Sequence, residues 1–425
     1  MTVIDRLVRG DYTDSASGKV LSVPTRSVVI SDSLRGAEGD LVRSLDFGRT
    51  LAVVSDAATY DVMGKRVETA LQSFCKIIPL RLDRPPYPDT ETVERLRNAG
   101  SSADAWIAIG SGTINDLCKY ASAQEKKPYA VFGTAPSMNG FTSVNAAMSV
   151  NGLKRSLAAA APAGVFLDLE VLAGAPKRMI CAGLGDSLCR PTAQTDWLIA
   201  HYLLDQPYSD VPFNLLAEDE EGLFAESDAL MRGDLVAMGR LARTLVLSGF
   251  GMTLSGGSYP ASQGEHLISH YIEMMANNQQ MAFHGEQIAV TTLTMARLHE
   301  RLLSEVPPKP KSTSITKGDL TDHFGPELGS LCWPEISAKS FNPHQAEQLS
   351  SRIIDCWDIM CDRIDRARIP SEKLHQVLEK AKAPLAPIDL GWSPDFYNTA
   401  VKHARLIRKR YTALDLAADS GVDLL

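Results

Sequence analysis

Trp106-Ile-Ala-Ile-Gly-Ser-Gly-Thr-Ile-Asn-Asp116 runs from a short apolar stretch through two glycines into residues that suit a helix beginning near Ile114. Read as strand, tight turn and helix, it makes a candidate phosphate-binding turn. Gly110 and Gly112 let the backbone approach a ligand closely, and a helix start offers free N–H groups with partial positive charge, which suits a diphosphate. The stretch is not the GxGxxG fingerprint, and GSG after a strand also marks many plain turns, so its surroundings must decide.

Those surroundings alternate short β-branched runs with helical stretches, the pattern of a parallel sheet covered by helices. Strands are expected at 27–31, 51–55, 77–82, 106–109 and 129–132, and helices at 58–72 and 89–99, the second entered from the Pro-rich loop Asp83–Asp89. Gly133-Thr-Ala-Pro-Ser-Met-Asn-Gly-Phe-Thr-Ser143 follows one strand later, and Thr134, Ser137 and Asn139 would offer hydroxyl and amide groups beside the glycine turn. Asp56, closing the run LAVVSD, reads two ways: as an acceptor for a cofactor ribose or as the cap of the helix after it. From about Pro176 the texture becomes helical with few strand-like runs, and Pro307–Lys317 reads as an exposed loop. The expected architecture is therefore α/β over residues 1–175 and all-α over 176–425.

Composition narrows the class of partner. With 425 residues, 44% apolar and 22% charged, the chain can bury a large core. A net charge of −8, with Lys and Arg scattered, gives no basic stripe for nucleic acid, so a small-molecule substrate and further copies of the chain, as a homo-oligomer, are the expected partners. No apolar run is seen to approach the roughly 20 residues of a membrane span; the nearest, Leu157–Leu167, is broken by Pro162. The first residues lack the apolar core of a secretion signal, so a cytoplasmic location is expected. Seven cysteines without a CxxC pair suggest reduced thiols.

The helical half holds GEHLISHYIEMM, in which His266 and His270 lie four apart and so share a helix face. His284 follows in MAFHGEQIAV, just ahead of another helix, and Gly183-Leu-Gly-Asp186 is read as setting a carboxylate at the start of a helix. Imidazoles with one carboxylate and open positions suit a catalytic Zn, Ni or Fe centre, and the absence of HExxH argues against a metalloprotease.

Taken together, GSGTINDLCKYAS, GTAPSMNGFTS, the span from LDLEVLAGAPKRMICAGLGDSL through TDWLIAH, GSYPASQGEHLISHYIEM, HGEQIAV and RKRYTALDLA resemble the dehydroquinate synthase and iron-containing alcohol dehydrogenase superfamily. Within it they resemble the glycerol-1-phosphate dehydrogenase family of the bacterial AraM type. The resemblance implies a Rossmann-like domain binding NAD(H) or NADP(H), then a helical domain holding one divalent metal, zinc first and nickel or iron next. By position it implies Asp186, His266 and His284 as metal ligands and His270 as a neighbour or proton carrier. It places Gly110, Ser111, Gly112, Thr113, Asn115 and Asp116 on the cofactor diphosphate, Asp56 on the ribose, and Thr134, Ser137 and Ser143 among the remaining cofactor contacts.

Two positions depart from the family pattern. Asn139 stands in SMNG where an aspartate is usual; it can hydrogen-bond a substrate hydroxyl but cannot act as a base. Arg190 stands where lysine is common, and an arginine holds phosphate as a fork rather than a point charge. Lys154 and Arg190 are the candidates to hold a substrate phosphate, with Asn139 and His270 at the reacting end. The expected reaction interconverts dihydroxyacetone phosphate and sn-glycerol 1-phosphate. The alternatives are a polyol dehydrogenase on an unphosphorylated substrate, a dehydroquinate-synthase-like sugar-phosphate cyclase, and a catalytically silent binding relative.

Overall fold

In the computed structural model, residues 1–83, 86–150, 153–276, 282–304 and 306–425 are described, with the backbone alone at 153 and 154. A small antiparallel ladder pairs β1 (Tyr12–Thr13) with β2 (Val20–Leu21). The main sheet is built from β3 (Ser27–Ser31), β4 (Thr50–Asp56), β5 (Lys76–Leu82), β6 (Ala105–Gly110) and β7 (Tyr129–Gly133). A hairpin of β8 (Asn145–Val150) and β9 (Leu153–Ala158) precedes β10 (Gly164–Asp168), which completes the sheet in the order β3-β10-β7-β6-β4-β5, all parallel.

The strands obey the rule that a parallel sheet is covered on both faces. β6, β7 and β10 are buried at every residue, whereas the edge strand β5 carries exposed Lys76 and Arg81 together with Pro79, which cannot donate to a ladder. The chain leaves β4 outward to β5 and returns to β6 on its other side, so the strand order reverses at β4 and β6, whose carboxyl ends lie together. Ligands of open α/β sheets sit at such a reversal.

Each expected strand is present to within a residue, but β10 and the β8–β9 hairpin were not legible. GVFLD follows an alanine-rich stretch and is only five residues long, too short for periodicity to declare it, yet it pairs with both β3 and β7. The helix expected over 58–72 starts at Ala57 and contains a π-turn over Tyr60–Gly64 before continuing as Lys65–Leu71.

The chain forms two compact units that do not follow the change of texture at Pro176. One comprises Met1–Ser187, Val211–Ser258 and Lys380–Lys382, and the other Leu188–Asp210, Tyr259–Glu379 and Ala383–Leu425. Helix Leu235–Leu254 belongs with the sheet because Thr142 Oγ1 donates to Val246 O at 2.6 Å across a surface made shallow by Gly249, where a Cβ would stand 2.2 Å from that hydroxyl. By length and composition it is also a helix that could cross a membrane, which the reading of Leu157–Leu167 as the nearest apolar run overlooked; 72% of its apolar window is buried within the fold. The first unit's core gathers Leu51, Val53, Ile107, Ile109, Phe132 and Phe166 beneath Val67 and Leu71. The second is packed around Ile268, Tyr271, Ile353, Met360, Ile364 and Leu414.

Asp186 does not begin a helix. Helix Lys177–Leu188 runs through Gly183 and Gly185, placing Asp186 in its last turn. Gly183 serves for close approach: a Cβ on it would lie 1.6 Å from the Pro136 carbonyl oxygen. Gly183→Ala should therefore push the 134–140 loop away and cost at least ~3 kcal/mol, the upper range of core overpacking because backbone rather than a side chain must move; urea unfolding measures this.

Candidate cofactor and metal site

In the first unit, β6 closes on Gly110 and helix Gly112–Glu125 opens two residues later, the strand-turn-helix expected from the sequence. A Cβ on Gly110 would stand 2.7 Å from Ile114 Cβ, so the tight turn requires glycine. The turn is stitched to the loop after β7: Thr134 N donates to Gly110 O at 3.1 Å, and Ser111 Oγ donates to Ala135 O at 2.9 Å and lies 2.5 Å from Ser137 Oγ. Ser111, Thr134 and Ser137 are thus held side by side. Asn115 is buried, and its Oδ1 has no hydrogen-bond partner among the described residues.

Sequence reasoning missed Lys119, which organises this loop. Its fully buried ammonium donates to Gly140 O at 2.6 Å, Asn145 O at 3.0 Å and Ser143 Oγ at 3.2 Å, and lies 3.4 Å from Asp116 Oδ1. Burial pulls the lysine's pKa down, with Asp116 opposing. Asp116 Oδ2 also accepts Ala147 N at 3.0 Å. Asp116 and Ser143, both expected on the cofactor, make these bonds to the protein's own loop. The i,i+3 spacing of Asp116 and Lys119 was the available signal.

Asp56 does cap a helix: its Oδ1 accepts Thr59 N at 2.8 Å while Thr59 Oγ1 accepts Asp56 N at 3.0 Å. Asn139 N donates to Asp186 Oδ2 at 2.8 Å, fixing that carboxylate through the backbone, and Asn139 Nδ2 is buried with no hydrogen-bond partner among the described residues. The Lys154 backbone, in β9, pairs with Ser149 of β8, and its side chain lies outside the described residues.

The second unit brings the three histidines together. His266 and His270 rise from helix Gly264–Met275, and His284 is the first residue of helix His284–Ser304. Their ring centroids lie 5.1 Å (His266–His284), 5.9 Å (His266–His270) and 6.2 Å (His270–His284) apart. His266 Nδ1 donates to Glu265 Oε1 at 2.9 Å, which leaves Nε2 as the nitrogen with a lone pair. Glu265 is fully buried and also accepts Gln263 N at 2.7 Å and Thr192 Oγ1 at 3.2 Å. Burial raises its pKa, but the bonds and charge of His266 with the backbone donors outweigh this and hold it below the usual glutamate value. His284 Nδ1 lies 4.0 Å from Glu273 Oε1. The ligating atoms of Cys189, Glu265 and His266 also lie within 4.8 Å of one another. Neighbouring residues on a helix do not normally face each other, so no periodicity announces the Glu265–His266 bond. Arg190 Nη1 donates to Gln194 Oε1 at 2.9 Å, on the same helix.

An oriented imidazole with a buried carboxylate behind it, packed against two more imidazoles, is a donor set suited to a borderline divalent ion. Comparisons with known proteins bear on what such a chain is. A family model described as iron-containing alcohol dehydrogenase matches residues 29–176. A glycerol-1-phosphate dehydrogenase [NAD(P)+] of Geobacillus thermodenitrificans is 29% identical over 380 residues, 86% of each chain. Another, from Thermococcus kodakarensis, is 30% identical over 277 residues, covering 64% of this chain and 78% of that relative.

The chain belongs to the glycerol-1-phosphate dehydrogenase family.

Among solved structures, a probable glycerol dehydrogenase from Sinorhizobium meliloti superposes with a TM-score of 0.61 at 16% identity, covering 94% of this chain and 92% of that one. An NADH-dependent butanol dehydrogenase from Thermotoga maritima gives 0.58 at 15% identity, covering 96% and 94%. At these identities they speak to the fold: the glycerol-1-phosphate dehydrogenase family member has the Rossmann-like sheet and helical part of iron-containing alcohol dehydrogenases. In this family member, Glu265→Gln should weaken divalent-metal binding about 10–100-fold, the usual cost of losing the carboxylate behind a ligating histidine. Competition with a chromophoric chelator measures it.

Proposed function

We propose that this chain is an NAD(P)-linked dehydrogenase interconverting dihydroxyacetone phosphate and sn-glycerol 1-phosphate, with one divalent metal held by Asp186, His266 and His284. The observation that carries the reading is the His266–His284 pair, with His266 oriented by buried Glu265, in a chain of the glycerol-1-phosphate dehydrogenase family. Zinc suits two imidazoles and a carboxylate best, with nickel or iron next.

Such a cation supplies Lewis acidity toward a carbonyl oxygen, and the nicotinamide supplies or accepts the hydride. The protein's own part is orientation. The Gly110–Gly112 turn and the start of the helix after it receive the diphosphate, while the Ser111–Ser137 and Thr134–Gly110 bonds keep the turn rigid. Asp56, at the end of β4 with its Oδ1 capping a helix, is the acid for the ribose. The Asn139 N–H and the Glu265 carboxylate hold Asp186 and His266 in one orientation each. His270, stacked 6.2 Å from His284, carries the proton to or from the substrate oxygen. Lys154 and Arg190 hold the phosphate, and the Asn139 amide, which cannot take a proton, positions a substrate oxygen. The enzyme acts as a homo-oligomer on a small molecule.

Metal-reconstituted protein with dihydroxyacetone phosphate and NADH or NADPH should consume the reduced cofactor and yield the sn-1 enantiomer. No turnover with Zn, Ni or Fe would overturn the substrate assignment. His284→Ala should lose retained metal and at least ~100-fold in activity, measured by elemental analysis and initial rates.

A further inference from the structure

Asp196 lies in the stretch Thr195-Asp-Trp-Leu-Ile-Ala-His201, on helix Arg190–Leu204, and is fully buried. It touches none of the three clustered histidines in the hydrogen bonds it makes, yet those bonds reach the helices that carry them. Its Oδ2 accepts Gly264 N at 3.0 Å, the first residue of the helix bearing His266 and His270. Its Oδ1 accepts His299 Nε2 at 2.9 Å, and His299 is on the helix that His284 begins. The same oxygen accepts Ala413 N at 2.8 Å, the first residue of helix Ala413–Ser420. One carboxylate thus receives the leading N–H groups of two helices, where their partial positive charge is concentrated, and a buried imidazole from a third.

The local packing is built around this contact. A Cβ on Gly264 would stand 2.8 Å from Asp196 Oδ2 and 2.4 Å from Met295 Cε, so only glycine lets the helix start reach the carboxylate. Later turns of that helix are held by apolar packing of Leu267, Ile268, Tyr271 and Ile272, whereas its first turn is held by polar bonds to Asp196 and through Glu265. His266 sits in that first turn.

We infer that Asp196, clasped by His299 and the Gly264 N–H, is a positioning residue that sets His266 relative to His284 for cation binding. The inference rests on the assignment of those two histidines as ligands. Loss of one acceptor frees the first turn while the apolar core keeps the unit folded, so the effect falls on metal affinity more than on stability.

The test measures the Zn2+ dissociation constant by chelator competition, alongside thermal unfolding of the metal-free protein. Asp196→Asn should raise the constant about 10–100-fold, as changes behind a ligand do. Gly264→Ala should do the same with the carboxylate intact, and His299→Leu should raise it while His299→Gln, which keeps a donor, restores most of the affinity. Ile364→Ala, a cavity in the same core far along the chain, should lower the melting temperature and leave the constant unchanged. Should Asp196→Asn fail to fold, Gly264→Ala and the His299 pair decide the matter. Unchanged affinity in the folded variants would overturn the inference, as would an equal loss in Ile364→Ala at equal melting temperature. A wild-type protein that takes up no Zn2+, Ni2+ or Fe2+ would refute the ligand assignment itself, a different outcome from variants that bind as well as wild type.

Discussion

A carboxylate removed from water must find donors for its oxygens, and in the second unit Asp196 finds three at once. That requirement shapes the segments around it. It explains the glycine at 264, the histidine buried at 299 and the start of helix Ala413–Ser420 at the residue whose N–H it receives. The imidazole cluster then inherits its framework from a residue outside it. Glu265 performs the nearer task, fixing which nitrogen of His266 is presented.

The sheet-bearing unit solves the same problem with the opposite charge. There a buried ammonium, Lys119, meets two carbonyl oxygens, a hydroxyl and Asp116, and so gives shape to a loop with little regular structure of its own. In both units a buried charge holds backbone that its own regular structure does not fix.

Much of this fold was legible because it repeats short rules: β-branched runs for buried strands, a glycine pair where strand meets helix, histidines four apart on one helix. What was not legible had no local signature. β10 is five residues in an alanine-rich stretch, and only its two neighbours make it a central strand. Asp186 was placed at a helix start, yet helix Lys177–Leu188 runs on through Gly183, where the Pro136 carbonyl packs, and carries Asp186 in its last turn. Helix Leu235–Leu254 hid its length behind interspersed glycines and polar residues and joined the sheet rather than the later helices. Glu265 and Asp196 act through contacts that sequence spacing does not encode. The histidine cluster was readable from spacing; its supports were not.

The bond between Asp196 and Ala413 N joins positions 217 residues apart. During synthesis the helix bearing His266 emerges long before the segment that completes the carboxylate's coordination. Contacts of such separation are slow to form because a long loop must close first. The nascent chain therefore carries its histidines through roughly the last third of translation without the framework that aligns them. The final arrangement of the histidine-bearing helices is thus one of the last events of assembly, after the sheet has had time to form.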